Sequence, residues 1–568
     1  MSTTKNGELS KIFSEIADAL EFKGDNRFKI IAYRKVSSVL ADLTEDVAVL
    51  AEKGRLREIP GIGEGIAKKI EEYLATGIMK KHEEALSQIP KDLLNLLKIQ
   101  NLGPKTLALA HKKLGVKNLE DLKRVIDDGS LATLFRIGEQ RVDNIKKGIE
   151  IFVQARERIP IDEAVKISDE IVVYLKTCPM IEQVAPAGSL RRMKETVGDI
   201  DILATGKEGG AIIDFFAKYP KASRILASGK TRGSIIVRTA GDVRQVDLRI
   251  VPIDSYGAAL QYFTGSKAHN VRLRGMAKEK GLKISEYGVF KGDKNIAGKD
   301  EEEVYSAIGL PYIPPELRED RGELEAALEG RLPKLVQLSD IKGDDHVHST
   351  HSDGRSTIKE IAHHSKSLGY EYVAICDHSK SVRYARGLTE GRLKKQMEEI
   401  EKLDEEIVGI KILKGIEVDI LGDGTLDIDD KLLEQLDIVV AAIHMGFKRN
   451  VTERLIKAIE NPCVDIIAHP TGRLISKREG YDVNINKVME KARMNNKILE
   501  LNAYPDRLDL DDLHLRKAKD MRIKISIGTD AHSAAEMMWM RFGVGIARRG
   551  WLEKKDIINT LSYWTANR

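Results

Sequence analysis

From the amino terminus to about residue 155, Leu, Ile and Ala recur three or four positions apart with almost no alternation, a period that predicts packed helices. After about residue 165 the pattern changes to short apolar runs that read as strands, among them VGDIDILAT (197–205) and VRQVDLRIV (243–251). A charged, proline-interrupted stretch, PYIPPELREDRGELEAALEGRLPKL (311–335), closes that region and reads as a linker with a short helix. From DDHVHS (344–349) onward, strand-like and helical segments alternate in a new regime.

A chain of 568 residues at roughly 100–200 per domain implies three to five domains. No apolar run approaches the roughly 18 residues that span a bilayer, and MSTTKNGELS lacks a signal-peptide core, so neither secretion nor membrane insertion is expected. Cys178, Cys376 and Cys463 are too few and too far apart for a disulfide framework or a thiolate zinc site, which points to the cytoplasm. The net charge of +4 is uneven: residues 1–315 hold 51 Lys and Arg against 44 Asp and Glu, the remainder 41 against 44. Mild basicity permits phosphate contact without demonstrating it.

Asp199 and Asp201, separated by one residue on a strand-like run, point to one face, and Asp247 can join them from a neighbouring strand. Three crowded carboxylates repel unless cations neutralise them, and hard oxygen ligands suit two Mg2+ ions. The preceding GSLRR (188–192) offers a tight turn at Gly188 and Ser189, with Arg191 or Arg192 supplying charge for a departing pyrophosphate. A lone D-x-D is usually a solvated strand; the ordered set of GS, D-x-D and D points to metal-dependent nucleotidyl transfer.

REIPGIGEGIAKKIEEYLATG (57–77) places glycines in a turn that opens a helix near Ile66, a helix-hairpin-helix that aims backbone N–H groups at a phosphate. KIQNLGPKTLALAHKKLG (98–115) repeats it, and FRIGEQRVDNIKKGIE (135–150) is a fainter third copy. In the C-terminal part, apolar runs end repeatedly in a metal-binding side chain: His346, His348, Asp353, His378, Glu417, His444, His469, Asp530 and His532. Nine N/O ligands at strand ends, with no thiolate, suit a barrel-type site for two or three Mn2+ or Zn2+ ions. His351 and His364 are left without a role.

Over about residues 8–315 the order of parts resembles a family X DNA polymerase, the group that includes animal DNA polymerase beta. AYRKVSSVL (32–40) followed by IPGIGEGIAKKIEEYLATG is similar to the family's 5′-phosphate and lyase domain. That match implies Lys69 as the Schiff-base lysine, Tyr33 and Lys35 beside the 5′-phosphate, and DNA contact at Gly61, Gly63, Gly65 and Gly103; animal members carry a basic residue where Gly65 stands. It further implies Ser189, Arg192 and the Gly188 and Gly198 lip for the triphosphate, and Arg249 as partner of a catalytic carboxylate in the idle enzyme and a DNA-side residue. YFTGSKAHNVRLR (262–274) resembles the nucleotide-selecting segment: Tyr262 and Phe263 against the sugar, Gly265 excluding a ribose hydroxyl, Asn270 at the base edge and Arg274 on the template. Lys267 replaces an aspartate of animal members. The C-terminal part resembles the PHP (polymerase and histidinol phosphatase) family of distorted seven-stranded βα barrels, which implies phosphodiester hydrolysis.

The expected architecture is multidomain: an all-α helix-hairpin-helix lyase-like domain (1–85), a helical fingers-type domain (86–155), an α+β nucleotidyltransferase palm and thumb (156–315), a linker (316–340) and a distorted (βα)7 PHP barrel (341–568). The function expected is a monomeric, cytoplasmic repair polymerase that fills short gaps in gapped or nicked DNA from dNTPs, with 3′-5′ exonuclease or end-processing activity and a 5′-deoxyribose phosphate lyase. The alternatives are a PHP hydrolase whose N-terminal part only binds DNA, and a non-templated nucleotidyltransferase.

Overall fold

The computed structural model describes residues 5–562 apart from 42–46, 60, 88, 98, 100, 135–136 and 239–242. The chain divides into two compact units, Met1–Arg156 with Ser476–Arg478, and Glu157–Ile475 with Glu479–Arg568. No helix among the described residues is long and apolar enough to cross a membrane.

The first unit is helical, as the 3.6-residue period predicts. Leu9, Phe13, Ile16 and Leu20 form one stripe of the Lys5–Lys23 helix and bury against Val36 and Leu40 of Arg27–Ala41. The first hairpin turns at Gly61, whose φ of +90° suits glycine, and opens the Glu64–Thr76 helix, two residues earlier than expected. The second opens Pro104–Leu114, with Gly103 at the N-cap and proline at the first helical position. Neither N-cap offers a side-chain acceptor, and in the first helix the Ile66 N–H already bonds the Gly63 carbonyl at 3.0 Å. In the third copy Glu139–Glu157 is helical, while Phe135 and Arg136 lie outside the described residues.

The second unit begins with a five-stranded sheet: β1 (Ile181–Pro186), β2 (Ile200–Gly206), β3 (Ala222–Ser228), β4 (Arg232–Arg238) and β5 (Val243–Val251), in the order β1-β2-β5-β4-β3. Strands β2 and β5 run parallel, and their register sets Asp201 directly opposite Asp247. Helices Tyr256–Thr264 and Lys267–Glu279 follow, then a small antiparallel sheet of β6 (Lys283–Ser285), β7 (Gly288–Lys291) and β8 (Lys294–Ala297).

Residues 316–340, expected as a linker, are packed. Arg318 is fully buried and pairs with Glu301 at 2.6 Å, and Glu323 is fully buried against His269 at 2.7 Å. Buried ions at this spacing need fixed partners, which a loose tether could not supply.

Seven parallel strands then form the last layer in sequential order: β9 (Gly343–Val347), β10 (Tyr372–Ile375), β11 (Lys411–Asp419), β12 (Ile438–Ala442), β13 (Ile466–Ile467), β14 (Ile498–Asn502) and β15 (Ile525–Gly528). A parallel bridge from Val347 to Ala531 brings the first strand beside the last, so the sheet nearly closes. The strands are buried on both faces, as in parallel barrels, and their carboxyl ends open on one side.

Candidate active sites

The ligand atoms of Asp199, Asp201 and Asp247 lie within 4.8 Å of one another. Burial first, then Asp199 and Asp247, push the Asp201 carboxyl up to about 7. A set that resists full ionisation alone fits divalent cations. Asp247 is held by the Ser234 hydroxyl, by Gln245 Nε2 at 3.1 Å and by Arg232 Nη2 at 3.4 Å. Arg249 lies over the Phe263 ring at 4.9 Å, and its charge acts on the Asp201 carboxyl, while Arg232 on β4 pairs with Asp247 at 3.4 Å. The GS turn is sterically exacting: Gly188 has φ +62°, and a Cβ there would stand 2.3 Å from Asp201 Oδ2.

The two arginines after that turn separate cleanly. Arg191 is spent on Glu301, at 2.8 and 2.6 Å, and on the Thr264 hydroxyl at 2.7 Å. Arg192 donates Nε to Glu319 at 3.0 Å and Nη1 to the Thr264 carbonyl, and among the described residues its Nη2 makes no hydrogen bond. Tyr262 and Phe263 meet edge to face at 5.2 Å. Gly265, at φ +68°, brings backbone against Arg192, whose Nη1 would lie 3.2 Å from an added Cβ. Asn270, expected at a base edge, is buried: its amide donates to the Tyr262 carbonyl at 2.7 Å and accepts from Gln261 at 2.8 Å. In this state it positions the Tyr262 backbone, because a buried amide takes the partners within reach. Lys267 and Arg274 are exposed, and Ser189 and Gly198 lie half-buried at the lip of the triad.

All nine predicted barrel ligands converge, with Glu417 on β11 at the centre. Its Oε1 lies 3.1 Å from His469 Nε2, 3.2 Å from His444 Nε2 and 3.8 Å from His346 Nε2. Its Oε2 lies 2.6 Å from His378 Nδ1 without hydrogen-bond geometry, the disposition of two ligands that share a cation. His348 reaches Asp530 at 3.1 Å, and Asp353 faces His532 at 3.4 Å and His378 at 3.6 Å. Burial opposes ionisation of Glu417, yet His444, His378 and His346 outweigh it and hold the carboxyl well below its usual range. Burial likewise opposes protonation of His444, but Glu417 and Asp419 raise it to about 10. Buried, mutually charged imidazoles and carboxylates with no thiolate fit divalent transition metals. His469 and Asp530 sit at positive φ, 28° and 53°, strain of the kind that clusters where side chains must be aimed.

The supporting residues were not foreseen. Glu500 accepts from His346 Nδ1 at 2.7 Å and from the His469 N–H at 2.8 Å, and Asp419 accepts from the His444 N–H at 3.0 Å. Asp377 gathers Ser349, Ser352 and Gln396 beneath the His348–Asp353 loop. Such partners fix tautomer and ring orientation at metal sites. Two signals mark them in sequence: Asp419 is two residues beyond Glu417 on one strand face, and Asp377 directly precedes His378. Arg507 reaches Asp530 at 3.7 Å, and its buried Nη1 has no hydrogen-bond partner.

In the first unit Tyr33 is a core residue stacked on Phe13 at 6.0 Å, so its ring is not presented as a phosphate contact. Lys35 lies along Gly61, where an added Cβ would meet its side chain at 3.3 Å. Lys69 Nζ donates to the Gly65 carbonyl at 2.7 Å, and Lys68 pairs with Glu64 at 2.8 Å.

Comparison with known proteins agrees with this division. Residues 4–79 match a helix-hairpin-helix domain, 93–150 a SAM-like helix-hairpin-helix tandem, 259–319 the DNA polymerase beta thumb and 344–532 the PHP domain. The chain is 40% identical to the DNA polymerase/3′-5′ exonuclease PolX of Bacillus subtilis over 560 residues, 98% of this chain and 97% of that one. It is 27% identical to DNA polymerase lambda of Rattus norvegicus over 56% of this chain and 57% of that one. A probable phosphatase of Thermoanaerobacter sp. (strain X514) shares 32% identity over 38% of this chain and 89% of its own. The chain belongs to the family X DNA polymerases that carry a PHP domain.

Proposed function

We propose that this protein fills short gaps in DNA at the palm site and resects 3′ ends at the barrel site. The observation that carries the reading is that one chain holds two complete, chemically distinct ligand sets: the facing Asp201–Asp247 pair with Asp199, and the nine-residue cluster around Glu417. In the first, the primer 3′-hydroxyl attacks the α-phosphate of a dNTP and pyrophosphate leaves. Two Mg2+ ions held by Asp199, Asp201 and Asp247 supply charge neutralisation there. Arg192 Nη2 and the Gly188–Ser189 turn receive the β and γ phosphates, Tyr262 and Phe263 flank the sugar, and Arg274 meets the template strand. In the second, two or three Mn2+ or Zn2+ ions would supply Lewis acidity for phosphodiester hydrolysis, beside the Arg507 guanidinium that faces Asp530 at 3.7 Å.

Incubating the pure protein with a gapped duplex under Mg2+ and then Mn2+ tests this reading. Extension should need dNTPs, and shortening should appear without them; no extension under either metal would leave a hydrolase with a DNA-binding arm. Gly188→Ala is expected to lower incorporation on the order of 10²-fold, because it displaces a metal-binding carboxylate. Steady-state insertion into a one-nucleotide gap reads it, and a normal rate would remove Gly188 from the site.

The first unit is read as grip for the 5′ side of the gap, with Lys69 as the lyase nucleophile. Lys69 is half-exposed on the Glu64–Thr76 helix, whose N-cap makes no side-chain hydrogen bond. Borohydride trapping on an abasic 5′-phosphate should fail with Lys69→Ala, whereas an undiminished adduct would move the activity to another lysine. Three buried cysteines with no disulfide among the described residues fit a cytoplasmic enzyme, and the protein is read as a monomer.

A further inference from the structure

The loop that carries Arg192 rests on the hydrolase barrel. Arg549, at the end of the Met540–Arg549 helix, donates Nη1 to the Arg192 carbonyl at 2.8 Å and to Glu319 Oε1 at 2.9 Å, and donates Nη2 to Asp512. Glu319 Oε1 is the same atom that receives Arg192 Nε at 3.0 Å. One residue on, Met193 fits a notch at Gly545 of that helix, where an added Cβ would stand 2.3 Å from Met193 Cε. Glu195 closes the loop's far end on Arg473 of the barrel. The Arg549 side chain is 1% exposed, so its charge depends on these partners.

We propose that Arg549 of the barrel is a positioning residue for nucleotidyl transfer, holding Arg192 in place to receive the triphosphate. Two effects combine. The first is geometric: Nε and Nη1 of Arg192 are pinned, so its plane is fixed and with it the direction of Nη2. The second is electrostatic, because a carboxylate paired with Arg192 alone would cancel the charge that a polyanion needs. Arg549 shares that carboxylate, and with Arg321 also on Asp512 three guanidiniums stand against two carboxylates. Burial favours protonated Glu319, but Arg549, then Arg192 and Lys194, keep it ionised. None of the groups that Arg549 contacts belongs to the nine barrel ligands.

The role of Arg549 rests on Arg192 as the phosphate donor, and the test separates the two. In the full-length protein, Arg549→Met should raise the KM for dNTP in gap filling on the order of tenfold, with kcat changed less than about twofold. Digestion of a 3′ end without dNTPs, and bound metal per chain, should stay at the wild-type level. Arg549→Lys should fall between, since a single ammonium cannot hold three acceptors in a fork. If Arg549→Met fails to fold, the lysine variant decides alone, and an unchanged KM overturns the proposal. Arg192→Ala is the control. Unchanged KM there would sink the phosphate reading of Arg192, whereas raised KM there with normal KM in the Arg549 variants would sink only the positioning role. Parallel loss of extension and digestion with a lowered Tm would mark Arg549 as interdomain packing and overturn the proposal.

Discussion

Asp247→Ala is expected to reduce nucleotide incorporation on the order of 10³-fold or more while 3′-end digestion continues, since charge stabilisation worth several kcal/mol is lost at the reacting phosphate. Asp247 is the buried member of the triad, set opposite Asp201 by the parallel pairing of β2 and β5. Its removal also unties Ser234, Gln245 and Arg232, so the variant leaves a guanidinium unpaired at the sheet. Asp247→Asn keeps the shape and the acceptor while removing the charge, and should lose nearly as much. Single-turnover insertion into a gapped duplex, run beside digestion of a recessed 3′ end, checks both. Equal loss of the two activities would mean one shared site and would sink the separation of palm from barrel.

How legible such a site is depends on the distance over which its physics acts. Asp199 and Asp201 were readable because strand alternation is local, and the nine barrel ligands because each ends its own apolar run. Asp199 nevertheless sits just before β2 rather than within it, and still reaches the triad. Residue type and spacing leave Arg191 and Arg192 open, and the family resemblance alone points to Arg192. In the fold Glu301, 110 positions away, takes Arg191, while Glu319 takes Arg192. Asn270 shows the same limit, since only the fold reveals that Tyr262 and Gln261 already occupy its amide. The segment 316–340 reads as a linker because it is charged and follows prolines; Arg318, Glu323 and Glu316 in fact pair with Glu301, His269 and Arg548, partners outside the segment. Glu500, the support of two ligands, had only strand alternation with Asn502 to mark it. At Gly103 and Pro104 glycine and proline mark the start of the Pro104–Leu114 helix locally.

Glu417→Gln is the matching experiment at the barrel, and its expected effect is as large: 3′-end digestion down on the order of 10³-fold or more, with loss of bound divalent metal. The substitution preserves volume and removes the one charge that His444, His469, His346 and His378 surround. Gap filling under Mg2+ should remain near the wild-type rate. Elemental analysis of purified protein and the two activity assays read this directly, and normal metal content with normal digestion would displace Glu417 from the centre. A second readout comes from pH. In chelator-treated wild type, burial disfavours protonated His444, but Glu417 and Asp419 raise it from 6.5 to about 10. A raised folded-state pKa stabilises the fold fully below the unfolded value, and that contribution fades as pH climbs to the folded value. The stripped protein should therefore lose Tm between about pH 6.5 and pH 10, and Glu417→Gln should flatten that slope by removing the larger cause of the shift. An identical slope in both proteins would show that Glu417 does not hold the proton on His444, and the cluster's charges could then not be ordered around that one carboxylate.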